Sequence, residues 1–229
     1  IPLQHRVGNG LVYCSRYMSD DEATARLVQE AEGKTLTQPR VIRFKVGRRQ
    51  RAWNKNVLAL GLASGFLEPL ESTSIHLVIT GIARLMQLFP FNQITQSFID
   101  QYNDDARREI EHIRDFIVLH YKATDRRDSP FWEYCANMEI PESLARRIEM
   151  FRERAYAYQG DSELFRIDSW VQVMLGQGIK PTAYHQLTQA MSKAELVQLL
   201  TAVKTPIAQT LERLPTHQQF IDHYCKAAM

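Results

Sequence analysis

The pattern of apolar and polar positions divides the chain near residue 61. Before this point, short apolar runs alternate with turn residues. Residues 5–14 predict a hairpin, because Gly-Asn-Gly at positions 8–10 can supply the positive φ that a tight turn requires. Residues 41–46 alternate apolar and charged side chains and predict a half-buried strand, and the apolar run at 56–60 predicts a buried strand.

After residue 61 the apolar spacing becomes helical. The capping-box pattern at 19–22 predicts one early helix at about 20–31, and the same pattern at 192–195 opens a later helix that contains Pro206. The helices predicted beyond residue 61 are 72–88, 94–121, 142–157, 192–214 and 216–225. The helix 94–121 is predicted to have an apolar face formed by Phe98, Ile99, Tyr102, Ile110, Ile113, Ile117 and Tyr121. The fold class is therefore α+β and mainly helical. The strands are too few for a sheet of their own, so we expect them to complete one formed by residues outside this chain.

Composition excludes several classes of protein. Of the 229 residues, 45% are hydrophobic and 24% charged, which is typical of a globular protein and not of a disordered one. The 28 basic and 26 acidic residues nearly balance, so bulk charge gives no reason to expect nucleic-acid binding. No apolar run reaches the roughly 18 residues of a membrane span. Cys14, Cys135 and Cys225 form neither a disulfide framework nor a CxxC pair, which favours a cytoplasmic location, and the first two are predicted to be small buried residues.

The densest chemical signal is residues 61–75, a predicted strand–loop–helix passage. Its two glycines allow backbone to approach a ligand closely. Ser72, Thr73 and Ser74 stand at the helix start, where free N–H groups and the helix dipole favour an anion.

Two carboxylates, Glu68 and Glu71, lie in the same loop. Because a carboxylate beside an anion site is electrostatically unfavourable, we expect at least one of them to be functional. The alternative is that Ser72 or Thr73 caps the helix and both glutamates are solvated acids of its first turn.

The amino-acid sequence of this loop also resembles that of a known protein family. Phe-Leu-Glu-Pro-Leu-Glu-Ser-Thr at 66–73 resembles the segment that characterises flavin-dependent tryptophan-halogenase-like enzymes. Ile1-Pro2 resembles the end of the WxWxIP motif of that family, and segments 8–15, 43–54 and 128–132 resemble family segments as well. The resemblance is clear through about residue 135 and weaker beyond it.

The resemblance implies an activity. In this family reduced FAD, oxygen and chloride or bromide yield hypohalous acid, which reaches a lysine and a glutamate beside the substrate ring. The family's GxGxxG fingerprint and its lysine precede the part that this chain resembles. The resemblance thus implies the C-terminal portion of a halogenase that acts on an indole or another electron-rich aromatic, inactive by itself. It also implies a separate flavin reductase as functional partner; we expect no nucleic-acid or membrane partner, and a homodimer is a further expectation.

The resemblance also assigns residues. Glu71 corresponds to the catalytic glutamate, and a buried carboxylate is suited to stabilise a cationic ring intermediate. Thr73 and Ser74 match the halide positions. The loop that passes the flavin ring corresponds to Gly61, Leu62, Ala63, Ser64 and Gly65. No equivalent of the Tyr-Tyr-Glu segment that grips free tryptophan is found in 154–165.

The implied organisation has two parts. Residues 1–75 would end an FAD-binding, monooxygenase-like domain by completing its sheet, and residues 76–229 would form a helical substrate-side subdomain. Trp170 is a candidate stacking wall for the substrate, with a core aromatic as the alternative.

Other interpretations stay open. A related flavin monooxygenase that hydroxylates an aromatic ring, or a helical interaction module without catalysis, would carry many of the same patterns. Glu109 and His112 have the spacing of a di-iron ligand pair, but no second such pair follows, so we expect a solvated helix face and no metal. The arginines at 48, 49 and 51 suit a phosphate or a surface turn. His76 suits the site near Glu71 or a satisfied core position.

Overall fold

The computed structural model describes residues 1, 3, 5–161 and 163–225. Within these residues the chain is mainly helical with a few short strands, which confirms the predicted fold class. The α-helices are α1 Asp20–Glu30, α2 Ser74–Gln87, α3 Gln96–Ala123, α4 Pro130–Asn137, α5 Glu142–Arg154, α6 Ile167–Gly176, α7 Lys193–Arg213 and α8 His217–Phe220. The strands are β1 Gly47–Arg48, β2 Trp53–Asn54, β3 Val57–Leu58 and β4 Gly65–Phe66. Short 3-10 helices span Gly61–Ala63, Pro69–Glu71 and Gln186–Ala190, and a π-helical turn spans Ile221–Cys225.

The described residues divide into two compact units, Ile1–Val41 with His185–Met229 and Ile42–Tyr184. The second unit has its core along α3, a helix of 28 residues and roughly 42 Å. Three apolar clusters follow one another along this helix. The predicted apolar face of α3 is confirmed for Ile99, Tyr102, Ile110, Ile113 and Ile117, which are buried, whereas Phe98 is exposed.

Two helices of this unit, α4 and α6, were not among the predicted ones. They pack on α3, and α6 supplies Trp170 and Met174 to its largest apolar cluster. α2 packs on α3 as well. The helices therefore place the Pro69–Glu71 turn and the start of α2 near the C-terminal half of α3.

The strands are shorter than predicted. β1 pairs with β4 and β2 with β3, both antiparallel and each over two residues. The predicted strand at 41–46 is wrong: these residues are exposed and outside any strand, since an alternating pattern specifies faces but supplies no neighbouring strand. The predicted buried strand at 56–60 is reduced to β3, in which Val57 is exposed, because Lys55 at φ 55 turns the chain back onto β2.

A prediction for the first unit, the hairpin within residues 5–14, is also wrong. The hairpin predicted around 8–10 is absent from the described residues, where Gly8 and Gly10 do not have positive φ. The chain turns earlier: the amide of Gly8 donates to the carbonyl of Ile1 at 2.8 Å, and that of Leu3 donates to Arg6 at 2.8 Å. Pro2, the second residue of the predicted motif end, lies outside the described residues.

The helix signals of the first unit are confirmed. Both capping boxes form, Ser19 with Glu22 at α1 and Ser192 with Glu195 at α7, and α7 continues through Pro206. Burial is small in this unit: of its described residues only Ala23 is buried, and Cys14 is exposed, contrary to the prediction. Cys135, in the other unit, is buried as expected.

None of the helices among the described residues combines the length and apolar content that a membrane span requires. The division after residue 75 into a cofactor-side part and a substrate-side part concerns function and remains a prediction.

Candidate functional site

The predicted loop is a sequence of tight turns that joins β4 to α2. Leu67 is buried and anchors the chain behind β4, and Pro69 opens the 3-10 turn Pro69–Glu71. Ser72 then adopts the left-handed conformation at φ 53 and ψ 33, which redirects the chain into α2. A non-glycine residue in this conformation is strained and persists only where its surroundings fix it.

Glu68 holds this turn in place. One carboxylate oxygen accepts the amide N–H of Leu70 at 3.2 Å, and the other accepts the Tyr121 hydroxyl at 2.6 Å. Burial, and after it the bond to Glu68, raises the pKa of Tyr121 above its usual value of 10.0. Glu68 thus caps the 3-10 turn and ties it to α3.

Glu71 has a different environment. Its Oε1 lies 3.2 Å from Nε2 of His120 on α3, and its side chain is 30% exposed. Among the described residues no other hydrogen bond or ion pair to this carboxylate occurs. Each glutamate therefore has a partner on α3 and is not fully solvated, whereas Thr73 stands at the N-cap position, as the alternative expects.

His120 and Tyr121 were missed as site residues. They follow the loop by about 50 residues, and the only sequence signal was their place in the last turn of the predicted helix 94–121. A helical pattern indicates which residues share a face, but it does not indicate which loop lies against that face.

The start of α2 supplies backbone N–H groups. Thr73 occupies the N-cap position and is 3% exposed, but its side chain makes no capping bond. Ser74 begins the helix, whose first amides have no intrahelical acceptor. Thr73 and Ser74 therefore lie two and three residues from Glu71 at the positive end of a helix dipole.

The segment 61–65 forms a fixed, exposed strip of backbone. Gly61 has φ +58, and a Cβ there would meet Val78 at 3.1 Å; a Cβ on Gly65 would meet the carbonyl oxygen of Gly47 at 2.9 Å. The two glycines are thus required by the chain's own packing. Leu62, at 75% exposure, and Ala63 face solvent between them.

Polar contacts fix this strip. The Ser64 hydroxyl donates to the carbonyl of Gly61 at 2.8 Å, and the Arg49 guanidinium donates to the carbonyl of Ala63. The neighbouring arginines pair with acids of α3, Arg48 with Glu111 and Arg51 with Asp100. All three arginines are engaged within the protein, which supports the surface-turn interpretation over a phosphate contact.

The prediction that Glu109 lies on a solvated helix face is wrong. Its side chain is 7% exposed, and its two carboxylate oxygens lie 3.2 Å from His76 and 2.9 Å from Arg84. His76 therefore pairs with Glu109 and not with Glu71. His112 lies 3.8 Å from Glu163. No group of three potential metal ligands occurs among the described residues.

Trp170 is 1% exposed within the apolar core. The Arg147 guanidinium lies 4.0 Å from its ring centre, and Phe116 packs against it edge-on. This burial supports the core-aromatic alternative, and the stacking-wall role remains a prediction. Arg147 also donates to Oε1 of Glu163 and to the carbonyl of Tyr158, whereas Oε2 of Glu163 is buried without a hydrogen-bond partner among the described residues.

Comparisons with known proteins agree with the motif. The tryptophan halogenase family model matches residues 1–193. The chain is 31% identical to the 7-chloro-L-tryptophan 6-halogenase KtzR of Kutzneria sp. (strain 744), over 96% of this chain and 44% of that protein. The chain spans about half the length of the curated relatives it matches.

Solved structures share the fold over nearly the whole chain. A flavin-dependent halogenase from Xanthomonas campestris is 52% identical with a TM-score of 0.95, over 99% of this chain and 46% of that chain. BrvH, a flavin-dependent halogenase from Brevundimonas sp. BAL3, is 45% identical with a TM-score of 0.90, over 97% and 45% of the two chains. The family match covers most of the chain and includes the turn that carries Glu71, and the chain therefore belongs to the tryptophan halogenase family.

Proposed function

We propose that the protein containing this chain is an FAD-dependent halogenase that uses reduced FAD, oxygen and chloride or bromide to halogenate an indole or another electron-rich aromatic. The observation that carries this proposal is the junction of the Pro69–Glu71 turn with α2. It places a partly exposed carboxylate, Glu71, beside the free amides of a helix start in a chain of this family.

Glu71 is suited to the ring chemistry. When an aromatic carbon takes up an electrophilic halogen from hypohalous acid, the ring becomes cationic, and it then loses the proton from that carbon. The net change is replacement of C–H by C–halogen with release of water. A carboxylate nearby stabilises the cation and can accept the departing proton. The 30% exposure of Glu71 leaves it accessible for this role.

The start of α2 is suited to a halide. The amides of Thr73 and Ser74 are free of intrahelical acceptors and lie at the positive end of the dipole of a 14-residue helix. Burial of the Thr73 side chain fixes the backbone there.

The strip at 61–65 fits one face of a flat cofactor ring. It is exposed at Leu62 and Ala63, and it is held rigid by hydrogen bonds to the carbonyls of Gly61 and Ala63. When bound in its reduced form, FAD would supply two electrons to oxygen, and oxygen reduced to the peroxide level would oxidise the halide by two electrons to hypohalous acid. A separate flavin reductase and a cytoplasmic location belong to this proposal.

The substrate is proposed as an indole or a similar ring and not specifically free tryptophan. A grip on the amino-acid groups would need available polar side chains in 154–165. There Glu163 is buried, with one oxygen paired to Arg147 and the other without a partner among the described residues, and Tyr158 packs on the same guanidinium. The two solved halogenases above, which share more identity with this chain than KtzR does, are described as flavin-dependent halogenases without a stated substrate.

The test is an assay of the full-length protein with a flavin reductase, FAD, oxygen, bromide and indole, followed by mass spectrometry. We expect a monobrominated indole that depends on bromide and on reduced flavin. A hydroxylated product without a brominated one would support the monooxygenase alternative. Absence of both products across a panel of electron-rich aromatics would support the non-catalytic one.

A further inference from the structure

His120 has both ring nitrogens directed at oxygen atoms. Nδ1 lies 2.8 Å from the carbonyl oxygen of Phe116, and Nε2 lies 3.2 Å from Oε1 of Glu71. A carbonyl oxygen accepts hydrogen bonds and never donates, so Nδ1 must carry a proton.

This assignment fixes the protons of the pair. In a neutral imidazole with Nδ1 protonated, Nε2 has a lone pair, and that lone pair would face the oxygen of an ionised carboxylate. The contact is attractive only if a further proton lies between Nε2 and Glu71. The pair therefore holds one shared proton, as imidazolium with carboxylate or as neutral imidazole with carboxylic acid.

The position of His120 on α3 favours the charged form. It lies in the last turn of this 28-residue helix, where the helix dipole stabilises a cation. Its ring packs edge-on against Phe116 with centroids 4.9 Å apart, which fixes its orientation. Among the described residues, Glu71 is the charged group that contacts the His120 ring. The neighbouring Glu68 instead accepts hydrogen bonds from the Tyr121 hydroxyl and the Leu70 amide.

We propose that His120 is a positioning residue for Glu71. This inference rests on the proposed function. As a doubly protonated imidazole, His120 holds Oε1 of Glu71 as a carboxylate and leaves Oε2 for the ring cation and its departing proton. The role is distinct from a merely structural contact because it requires a hydrogen-bond donor at the position of Nε2, facing Oε1 of Glu71.

The first test uses the full-length protein with His120→Phe, which keeps an aromatic ring and removes both donors, and His120→Gln, which keeps an uncharged donor. We expect His120→Phe to lower kcat about 10- to 100-fold with little change in KM, because Glu71 loses its orientation. His120→Gln should restore most of kcat.

A matched control is His76→Gln, which breaks the other 3.2 Å histidine–glutamate contact of the same unit. Glu109 keeps Arg84, so this variant should retain the wild-type kcat. If His76→Gln lowered kcat as much as His120→Phe does, the loss would reflect general loosening of α3, and the positioning role would be wrong.

The second test is independent of turnover. The ¹⁵N resonances of His120, assigned by its loss in His120→Gln, should show both nitrogens protonated at neutral pH, and Glu71→Gln should abolish this state. A neutral ring in the wild type, or a ring unaffected by Glu71→Gln, would contradict the shared proton.

The two levels of the proposal fail differently. Wild-type protein that yields no halogenated product contradicts the proposed function, whereas the ¹⁵N result still decides the proton state of the pair. Wild-type protein that halogenates while His120→Phe keeps its kcat contradicts the positioning role alone.

Discussion

Two glutamate–histidine contacts of the same 3.2 Å length involve α3, one near its middle and one near its C-terminal end. Near the middle, Glu109 is 7% exposed and has Arg84 as a second partner. Near the end, Glu71 is 30% exposed and has His120 alone among the described residues. A glutamate and a histidine therefore form a buried structural pair in one region and an accessible acid–base pair in the other. Burial and the second cation make the difference.

The largest effect on stability is expected in the middle of α3. Arg84→Leu leaves a buried carboxylate with only His76, and loss of one partner of a buried pair should lower the free energy of unfolding by about 3 kcal/mol. Urea unfolding measures this. Arg108→Leu removes an exposed pair with Asp105 on the same helix and should change stability by well under 1 kcal/mol. Equal losses of unfolding free energy in the two variants would show that the Glu109–Arg84 pair does not stabilise the protein as a buried ion pair.

A smaller loss is expected where the loop meets α3. Tyr121→Phe removes the hydroxyl that donates to Glu68 and keeps the ring, so the free energy of unfolding should fall by about 2 kcal/mol, the range for a hydrogen bond to a charged group. Because Glu71 keeps His120, kcat should fall only a few-fold. A loss of kcat as large as that of Glu71→Gln would mean that Glu68 takes part in catalysis as well and does not only hold the turn.

The strained backbone of Ser72, in the turn that carries Glu71, allows a further prediction. Ser72 has φ 53, and Ser72→Gly should raise the free energy of unfolding by about 1 kcal/mol, since glycine adopts this conformation without steric cost. Ala155→Gly, at φ 55 after α5, is the matched control and should stabilise similarly. Only Ser72→Gly should also change kcat, because Ser72 directly follows Glu71 and removal of its strain alters the position of that carboxylate. Equal kcat values for the two variants would contradict a positioning role for the turn.

The smallest effect at ordinary pH concerns the proton of Tyr121. Its pKa is raised in the folded protein, so the folded state binds this proton more tightly than the unfolded state does. The resulting stability is fully present below pH 10 and is lost as pH rises above it. The stability difference between wild type and Tyr121→Phe should thus be constant to about pH 10 and shrink beyond it. A difference that already shrinks near pH 8 would contradict the raised pKa.

Local signals in the sequence predicted local structure well. Both capping boxes form, since the pattern of serine and glutamate three residues apart contains all the groups that the two bonds need. The apolar face of α3 is largely buried as predicted, because one helix carries that pattern by itself. Strand 41–46 failed because an alternating pattern has no information about its neighbour.

In the candidate site too, the sequence predicted the residues of a local motif but not their distant contacts. Glu71, Thr73 and Ser74 were identified because they stand within one continuous motif. The partners of the two glutamates, His120 and Tyr121, come from a helix about 50 residues later, and only the packing of that helix against the turn brings them there. Likewise the burial of Glu109 could not be predicted from its spacing to His112, since Arg84 and His76 belong to another helix.

The central claim is that Glu71 is the acidic group of a halogenation site. Its most direct test is the kcat of the full-length Glu71→Gln protein for bromination of indole, with reduced flavin and bromide saturating. Gln keeps the shape of the side chain and removes the charge. We expect kcat to fall about 100-fold, as for loss of one electrostatic group that stabilises a transition state, with the unfolding midpoint little changed. Bromination at the wild-type rate by a folded Glu71→Gln protein would contradict the claim.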